Sequence, residues 1–316
     1  MRHGSLVFGY SAGMKNILIL GGSGFIGRHV CEALERAGLH ATVPTRRWPA
    51  RSVQMLPRVS VVQADVHQAG QLAALVRGHD AVVNLVAILH GNATAFDHVH
   101  VQLPRLLAQA CAHQGIRRLV HMSALGADAN GPSLYLRSKG QGDAVLRQMA
   151  QQHGLDLTLL QPSVVFGADD RFINVFAQLQ ALAPVVPLAG AQAQFQPVWV
   201  QDVAQALVNA LTMPQSHGKR FELVGPEVFT LAQLVQHAGR WAGHPRPIWP
   251  LPSALAQAQA WLMEHLPGPT LMSRDNLASM QVDNIASGSC PGLPALGVPQ
   301  AARLDSVFPI PRHKSV

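Results

Sequence analysis

Tyr135 and Lys139 stand four residues apart in Tyr135-Leu136-Arg137-Ser138-Lys139. On a helix that spacing puts both side chains on one face. An ammonium beside a phenol favours the phenolate. Lys139 is therefore expected to lower the Tyr135 pKa from its usual value of about 10. Such a phenol can give a proton to a carbonyl oxygen while hydride arrives from a nicotinamide. Ser123, in His121-Met122-Ser123-Ala124, is positioned to hydrogen-bond the same oxygen. Ser123, Tyr135 and Lys139 are the candidate catalytic residues.

A second group would supply the hydride donor. Gly21-Gly22-Ser23-Gly24-Phe25-Ile26-Gly27 fits GxxGxxG from Gly21 and GxGxxG from Gly22. Glycines permit a tight turn and let the backbone approach a pyrophosphate, and the last one allows close helix–strand packing. A helix opening there offers free N–H groups and partial positive charge to phosphates. Gly21, Ser23, Gly24 and Gly27 are accordingly candidate dinucleotide contacts. About 20 residues on, NAD binders usually carry an acid for the ribose hydroxyls. This chain has Val43-Pro44-Thr45-Arg46-Arg47 there, with no acid. Thr45, Arg46 and Arg47 suit a 2′-phosphate, which a guanidinium can hold bidentately. NADPH is the expected cofactor, with NAD as the alternative.

These residues need a scaffold that brings loop ends together. Asn16 to Leu20 reads as a buried strand and Phe25 to Ala37 as a helix with Gly38 at its C-cap. Strands follow at His40–Pro44, Val59–Gln63, Ala81–Leu89, Arg118–Met122 and Leu157–Gln161. Helices are expected over Gln71–Arg77, Val101–His113 and Leu136–His153. Alternation of this kind means βαβ units and an α/β fold: a Rossmann-type doubly wound parallel sheet. Ligands belong beyond the carboxyl ends of its strands, at the switch point. After Gln161 the pattern loosens. Asp202 is expected to cap a helix over Val203–Leu211, before a strand at Phe221–Val224 and a helix at Leu231–Ala242. In Ser253–Leu266 the stripe Leu255, Ala258, Leu262 and Leu266, with Trp261 and Met263 beside it, is expected to pack into a core. Proline density beyond Gly243 implies a smaller, irregular C-terminal lobe. The expected organisation is a disordered leader over 1–13, a dinucleotide-binding domain over 14–165, a lobe over 166–290 and an extended tail over 291–316. Residues 196–224 should return to the Rossmann core.

Composition narrows the function classes. The 316 residues are 48% hydrophobic and 13% charged, enough for a large core and against global disorder. The net charge of +7 comes without a basic patch interleaved with aromatics, so no nucleic-acid partner is expected. Cys31, Cys111 and Cys290 are far apart, with no metal-ligand spacing, which fits a reducing cytoplasmic location and no metal site. No uncharged apolar run is long enough for a transmembrane segment.

Taken together, the glycine loop, Asp65-Val66, Asn84-Leu85-Val86-Ala87, Ser123, the Tyr135–Lys139 pair and Gln161-Pro162-Ser163 resemble the short-chain dehydrogenase/reductase pattern. More narrowly, the chain resembles the atypical branch typified by the nucleotide-binding accessory subunit of respiratory complex I. His121–Lys139, Glu264–Gly268, Arg274-Asp275-Asn276 and Asp283-Asn284 carry that narrower likeness. Relatives with epimerase or dehydratase activity share the superfamily motifs. The resemblance implies that Phe25 and Ile26 flank the phosphates and that Asp65 and Val66 lie by the adenine. It implies Val86 and Ala87 beside the ribose, and Pro162 and Ser163 at the nicotinamide end. It also implies a respiratory complex I or membrane-surface partner, at the inner face of the membrane. Two departures stand out. Ser123 precedes Tyr135 by only twelve residues, and Asn84–Ala87 replaces the NNAG of single-domain members.

Two functions follow from these residues. One is an NADPH-binding accessory or assembly protein that keeps the cofactor as a structural element. The other is an active NADPH-dependent oxidoreductase or epimerase, using Tyr135 and Lys139 on a small carbonyl, quinone or nucleotide sugar.

Overall fold

A computed structural model describes residues 13–46, 48–265 and 272–310. The expected disordered leader lies outside the described residues except for Gly13, as do Arg47, Leu266 and the last six residues. Seven strands form one parallel sheet: β1 (Asn16–Leu20), β2 (His40–Thr45), β3 (Val59–Gln63), β4 (Ala81–Asn84), β5 (Arg118–Met122), β6 (Asp156–Pro162) and β7 (Arg220–Leu223). Their order is β7-β6-β5-β4-β1-β2-β3, every neighbouring pair parallel. The direction of winding reverses between β1 and β4, which opens a crevice at their carboxyl ends. This is the doubly wound α/β sheet expected from the alternation of strand and helix.

Burial on both sheet faces explains the uninterrupted apolar strands. Ile17 and Ile19 pack with Val30 and Leu34 of helix α1 (Phe25–Arg36). Leu18 and Leu20 pack on the opposite face, with Leu72 of α2 (Ala69–Val76) and Leu107 of α3 (Leu103–Gln114). Helix α4 (Leu134–His153) covers the same face through Leu146. Helix α5 (Val200–Thr212) returns to the first face with Val203 and Leu207, so the chain re-enters the Rossmann core before β7. A separate core centred on Phe166, Phe176 and Leu234 belongs to the C-terminal lobe.

Four local expectations change. The strand from Ala81 stops at Asn84, because Asn84 Oδ1 accepts the Val86 N–H at 3.1 Å and bends the chain out of the sheet. Asp202 is no helix cap. It sits inside the first turn of α5, where its carboxylate accepts the Ala302 N–H at 2.7 Å. That bond pins the segment read as an extended tail. There, Leu293 and Leu296 join the main core, and Leu304 and Phe308 the lobe core. Finally, helix α6 (Ser253–His265) does not bury its leucine stripe. Ala256 and Ala260 face Ala189 and Leu277, while Leu255, Trp261 and Leu262 are 52%, 51% and 55% exposed. The small side chains let the helix lie close to its neighbours, and the large ones are left outside.

Arg118, at the start of β5, ties these layers together. Its buried guanidinium donates to Leu211 O and Ala210 O, two of the carbonyls left open at the end of α5. It also reaches Asp156 O, Thr158 Oγ1 and Ser216 Oγ. Removing it strands several buried acceptors. Arg118→Met is expected to lower unfolding free energy by about 3 kcal/mol, read from urea denaturation followed by circular dichroism. A loss under about 1 kcal/mol would show that water replaces the guanidinium.

Candidate dinucleotide site

The glycine loop joins β1 to α1 at the switch point. Gly21 takes φ +80°, which favours glycine, and its carbonyl accepts the Gly24 N–H at 3.0 Å. A Cβ on Gly27 would lie 2.3 Å from Gly21 O and 2.6 Å from Gly22 Cα. Only glycine there lets the helix start so close to the strand. No side chain caps α1 at Gly24, so its first N–H groups remain available to an anion. This cradle fits a dinucleotide pyrophosphate. When bound, such a cofactor supplies hydride chemistry.

A cleft of about 760 Å³ extends from the loop toward the edge of the sheet. Gly21, Ser23, Thr45, Arg46, Val66 and Val86 line it, all of them expected contacts. Arg51 and His67 line it too and were not read from the sequence. Asp65 stands just behind, accepting the His67 N–H at 3.1 Å. Ala87 is exposed beyond Val86. Phe25 and Ile26 turn their side chains away from this role. Ile26 packs against the main core, and the Phe25 ring lies where a Cβ on Gly167 would come within 3.3 Å. Any phosphate contact from these two is through backbone.

The candidate catalytic residues are grouped elsewhere, in a buried polar cluster between α4 and the ends of β5 and β6. Among the described residues, none of Ser123, Tyr135, Lys139, Pro162 and Ser163 lines the cleft. Lys139 Nζ donates to Met122 O at 2.8 Å. Ser123 Oγ donates to Asp143 Oδ2 at 2.7 Å, and Gln161 Nε2 reaches the same oxygen at 3.1 Å. Ser163 Oγ donates to Asn284 Oδ1 at 2.6 Å, which fastens the end of β6 to the lobe. Beneath them, Asn84 Nδ2 donates to His121 Nδ1 at 3.1 Å. This leaves the His121 Nε2–H facing Asp143 Oδ1 at 3.9 Å. His100 Nε2 accepts the Ile88 N–H, so its Nδ1–H donates to Ser138 Oγ.

Electrostatics in this cluster reverse one expectation. The Tyr135 phenol is not lowered. Burial, reinforced by the Asp143 carboxylate, pushes it up to about 12. Burial also brings Lys139 down to about 8, with Asp143 opposing. The Asp143 carboxyl is raised by burial, against the pull of Lys139 and Ser123. Burial and then Lys139 lower His100 to about 3 and hold His121 well below its usual value, so both rings are neutral. The phenol thus feels a low dielectric and a carboxylate more than the ammonium.

Two acids that control the cluster were not assigned roles from the sequence. Asp143 follows Lys139 by four residues, as Lys139 follows Tyr135, and that repeated spacing was the available signal. Asp275 comes from the C-terminal lobe. Its carboxylate accepts the Leu134 and Tyr135 N–H groups at 2.6 and 3.0 Å, sealing the start of α4. It belongs to the motif Arg274-Asp275-Asn276, but only the folded chain shows what it holds.

Comparison with known proteins agrees with this geometry. The profile of the NAD dependent epimerase/dehydratase family matches residues 17–224. The chain belongs to that family. It is an NAD(P)-binding member homologous to a respiratory-chain subunit. It is 29% identical over 306 residues to the mouse mitochondrial NADH dehydrogenase (ubiquinone) 1 alpha subcomplex subunit 9, covering 94% of this chain and 80% of that protein. The Arabidopsis thaliana subunit of the same name is 29% identical over 287 residues, covering 85% and 70%. Among solved structures, the dTDP-glucose 4,6-dehydratase DesIV from Streptomyces venezuelae, with NAD and TYD bound, has the same fold. Its TM-score is 0.66 at 23% identity, over 74% of this chain and 84% of that one. Among the described residues no helix is long and apolar enough to cross a membrane.

Two outcomes test the site as built. Gly27→Val forces Cβ into the Gly21 carbonyl and is expected to abolish NAD(P)H binding in a fluorescence titration, with a stability loss of about 1–3 kcal/mol or more. Retained affinity would place the dinucleotide elsewhere. Lys139 loses its proton at about 8 when folded and at 10.5 as a free side chain. Between those values the unfolded chain holds more protons, so stability should rise with pH, by at most about 1.4 kcal/mol per pH unit. Above 9 the opposite shifts of Cys31 and Cys111, both pushed to about 12 by burial, offset the gain. The stability of wild type relative to Lys139→Met should therefore rise between about pH 8 and 9. A flat difference would mean that Lys139 keeps its proton across this range in the folded protein.

Proposed function

We propose that this chain is an NADPH-binding accessory or assembly protein of the complex I nucleotide-binding type, in which the dinucleotide is held as a structural element. One observation carries this reading. The Ser123 hydroxyl and the Lys139 ammonium are spent on Asp143 and on the Met122 carbonyl. A carbonyl substrate would need that hydroxyl to donate to it and a phenol ready to ionise, and both are drawn into the protein's own buried network. Arg46 and Arg51 beside Thr45, with no acid at the end of β2, support NADPH over NADH. The exposed face of α6, with Leu255, Trp261 and Leu262, offers a contact surface for a complex I or membrane-surface partner. With such a partner the protein would work in the cytoplasm, peripheral to the inner face of the membrane.

A second reading keeps Tyr135 and Lys139 as working groups of an NADPH-dependent oxidoreductase or epimerase. Their common face on α4, next to Ser123, favours it. The two readings separate in one set of measurements. The accessory reading expects NADPH to bind at least about tenfold more tightly than NADH, with Arg46→Ala removing most of the difference. It also expects carbonyls, quinones and nucleotide sugars to leave bound NADPH unoxidised, and complex I to retain the protein through purification. Turnover that Tyr135→Phe abolishes without loss of cofactor binding would overturn it in favour of the enzyme.

A further inference from the structure

His67 lines the dinucleotide cleft beside Arg46 and Arg51. Its backbone is fixed: the His67 N–H donates to Asp65 Oδ1, and the Asp65 N–H donates to Gln71 Oε1 at 2.9 Å. Its ring is fixed as well. It stacks on His98 with centroids 4.4 Å apart and planes 19° off parallel. His98 sits in a π-helical turn, His98–Gln102, whose packing is imposed from α4, since a Cβ on Gly142 would meet His100 O at 2.0 Å. Yet His67 Nδ1 is buried with no hydrogen-bond partner. The imidazole is thus held rigidly at a cationic cleft, by stacking on His98 and by its anchored backbone.

The charged groups facing this ring are Arg46 at the end of β2, His98 behind it, and Asp65 on its own segment. Burial first, then His98, with a smaller push from Arg46, lower its pKa against the opposing Asp65. The ring is therefore neutral in the free protein near neutral pH. A phosphate monoester entering between Arg46 and His67 would change that balance. It brings up to two negative charges and strong acceptor oxygens. Protonation of the imidazole then becomes favourable, and proton uptake accompanies binding.

We propose that His67 is a proton-dependent specificity residue for the 2′-phosphate of NADPH, adding a third cation to Arg46 and Arg51 when the ligand binds. The proposal rests on the NADPH reading above and deepens it. Its consequence is specific: selectivity for NADPH over NADH grows as pH falls toward the mid-sixes. NADH lacks the phosphate and draws no proton.

The test is calorimetric titration of the full chain with NADPH and with NADH, at about pH 6.5 and 8, in two buffers of different ionisation heat. Wild type is expected to bind NADPH at least about threefold more tightly at the lower pH, with net proton uptake, and NADH with neither effect. His67→Gln should flatten the NADPH dependence. His67→Phe keeps a ring on His98 and should retain the wild-type affinity at pH 8 while abolishing proton uptake. An unchanged pH slope in His67→Gln, or no proton uptake by wild type, overturns the proposal. Equal wild-type affinities for NADPH and NADH at pH 8 would instead overturn the NADPH reading itself, so the two failures are distinguishable.

Discussion

The approach of the α1 backbone to the end of β1 is the constraint on which the site depends. Gly27 lies so near Gly21 and Gly22 that a single Cβ would collide with main chain on both. The neighbouring strand crowds the same turn: a Cβ on Gly21 would stand 3.0 Å from the Leu85 carbonyl carbon. Backbone cannot move aside as a flexible side chain can. The turn is therefore rigid, and it fixes the uncapped start of α1 over the carboxyl edge of the sheet. Val86 and the β2 end are brought to the same crevice because they flank β1 in the strand order.

A second constraint is electrostatic. Lys139 and Asp143 are both buried, a costly arrangement unless remaining donors and acceptors are satisfied. Met122 O, Ser123 and Gln161 meet much of that need. The result locks α4 to β5 and β6. The same locking commits the Ser123 hydroxyl proton to Asp143, and burial leaves the phenol of Tyr135 hard to ionise. Asp275 and Asn284 extend the lock into the C-terminal lobe, by sealing the start of α4 and holding Ser163. Lobe and sheet therefore act on the cluster together.

Much of the fold was legible because it rests on local signals. The apolar runs of β1 and β5 and the helix spacing after Phe25 need no long-range information. The glycine loop was legible too, since its residues and its place between strand and helix coincide. The misreadings have a common origin. Leu85–Leu89 looked like a continuation of the strand, but the Asn84 side chain turns back on the Val86 N–H and ends it. Asp202 looked like a cap because the residue type suits one, but its partner, Ala302, is one hundred residues away. The leucines of α6 looked like a core stripe, yet Ala256 and Ala260 are the residues of that helix that pack against Ala189 and Leu277.

The sequence by itself determined the parallel sheet, the dinucleotide loop and the presence of a Tyr–Lys pair on one helix, because each depends on periodicity or on residue type within a few positions. Only the tertiary structure decided what that pair can do. Charge state follows from burial and from groups brought near by folding. Asp143 is close enough in sequence to have been noticed. The dielectric around Tyr135, the carbonyl that takes Lys139 and the stacked partner of His67 come from separate elements, and no local pattern encodes them.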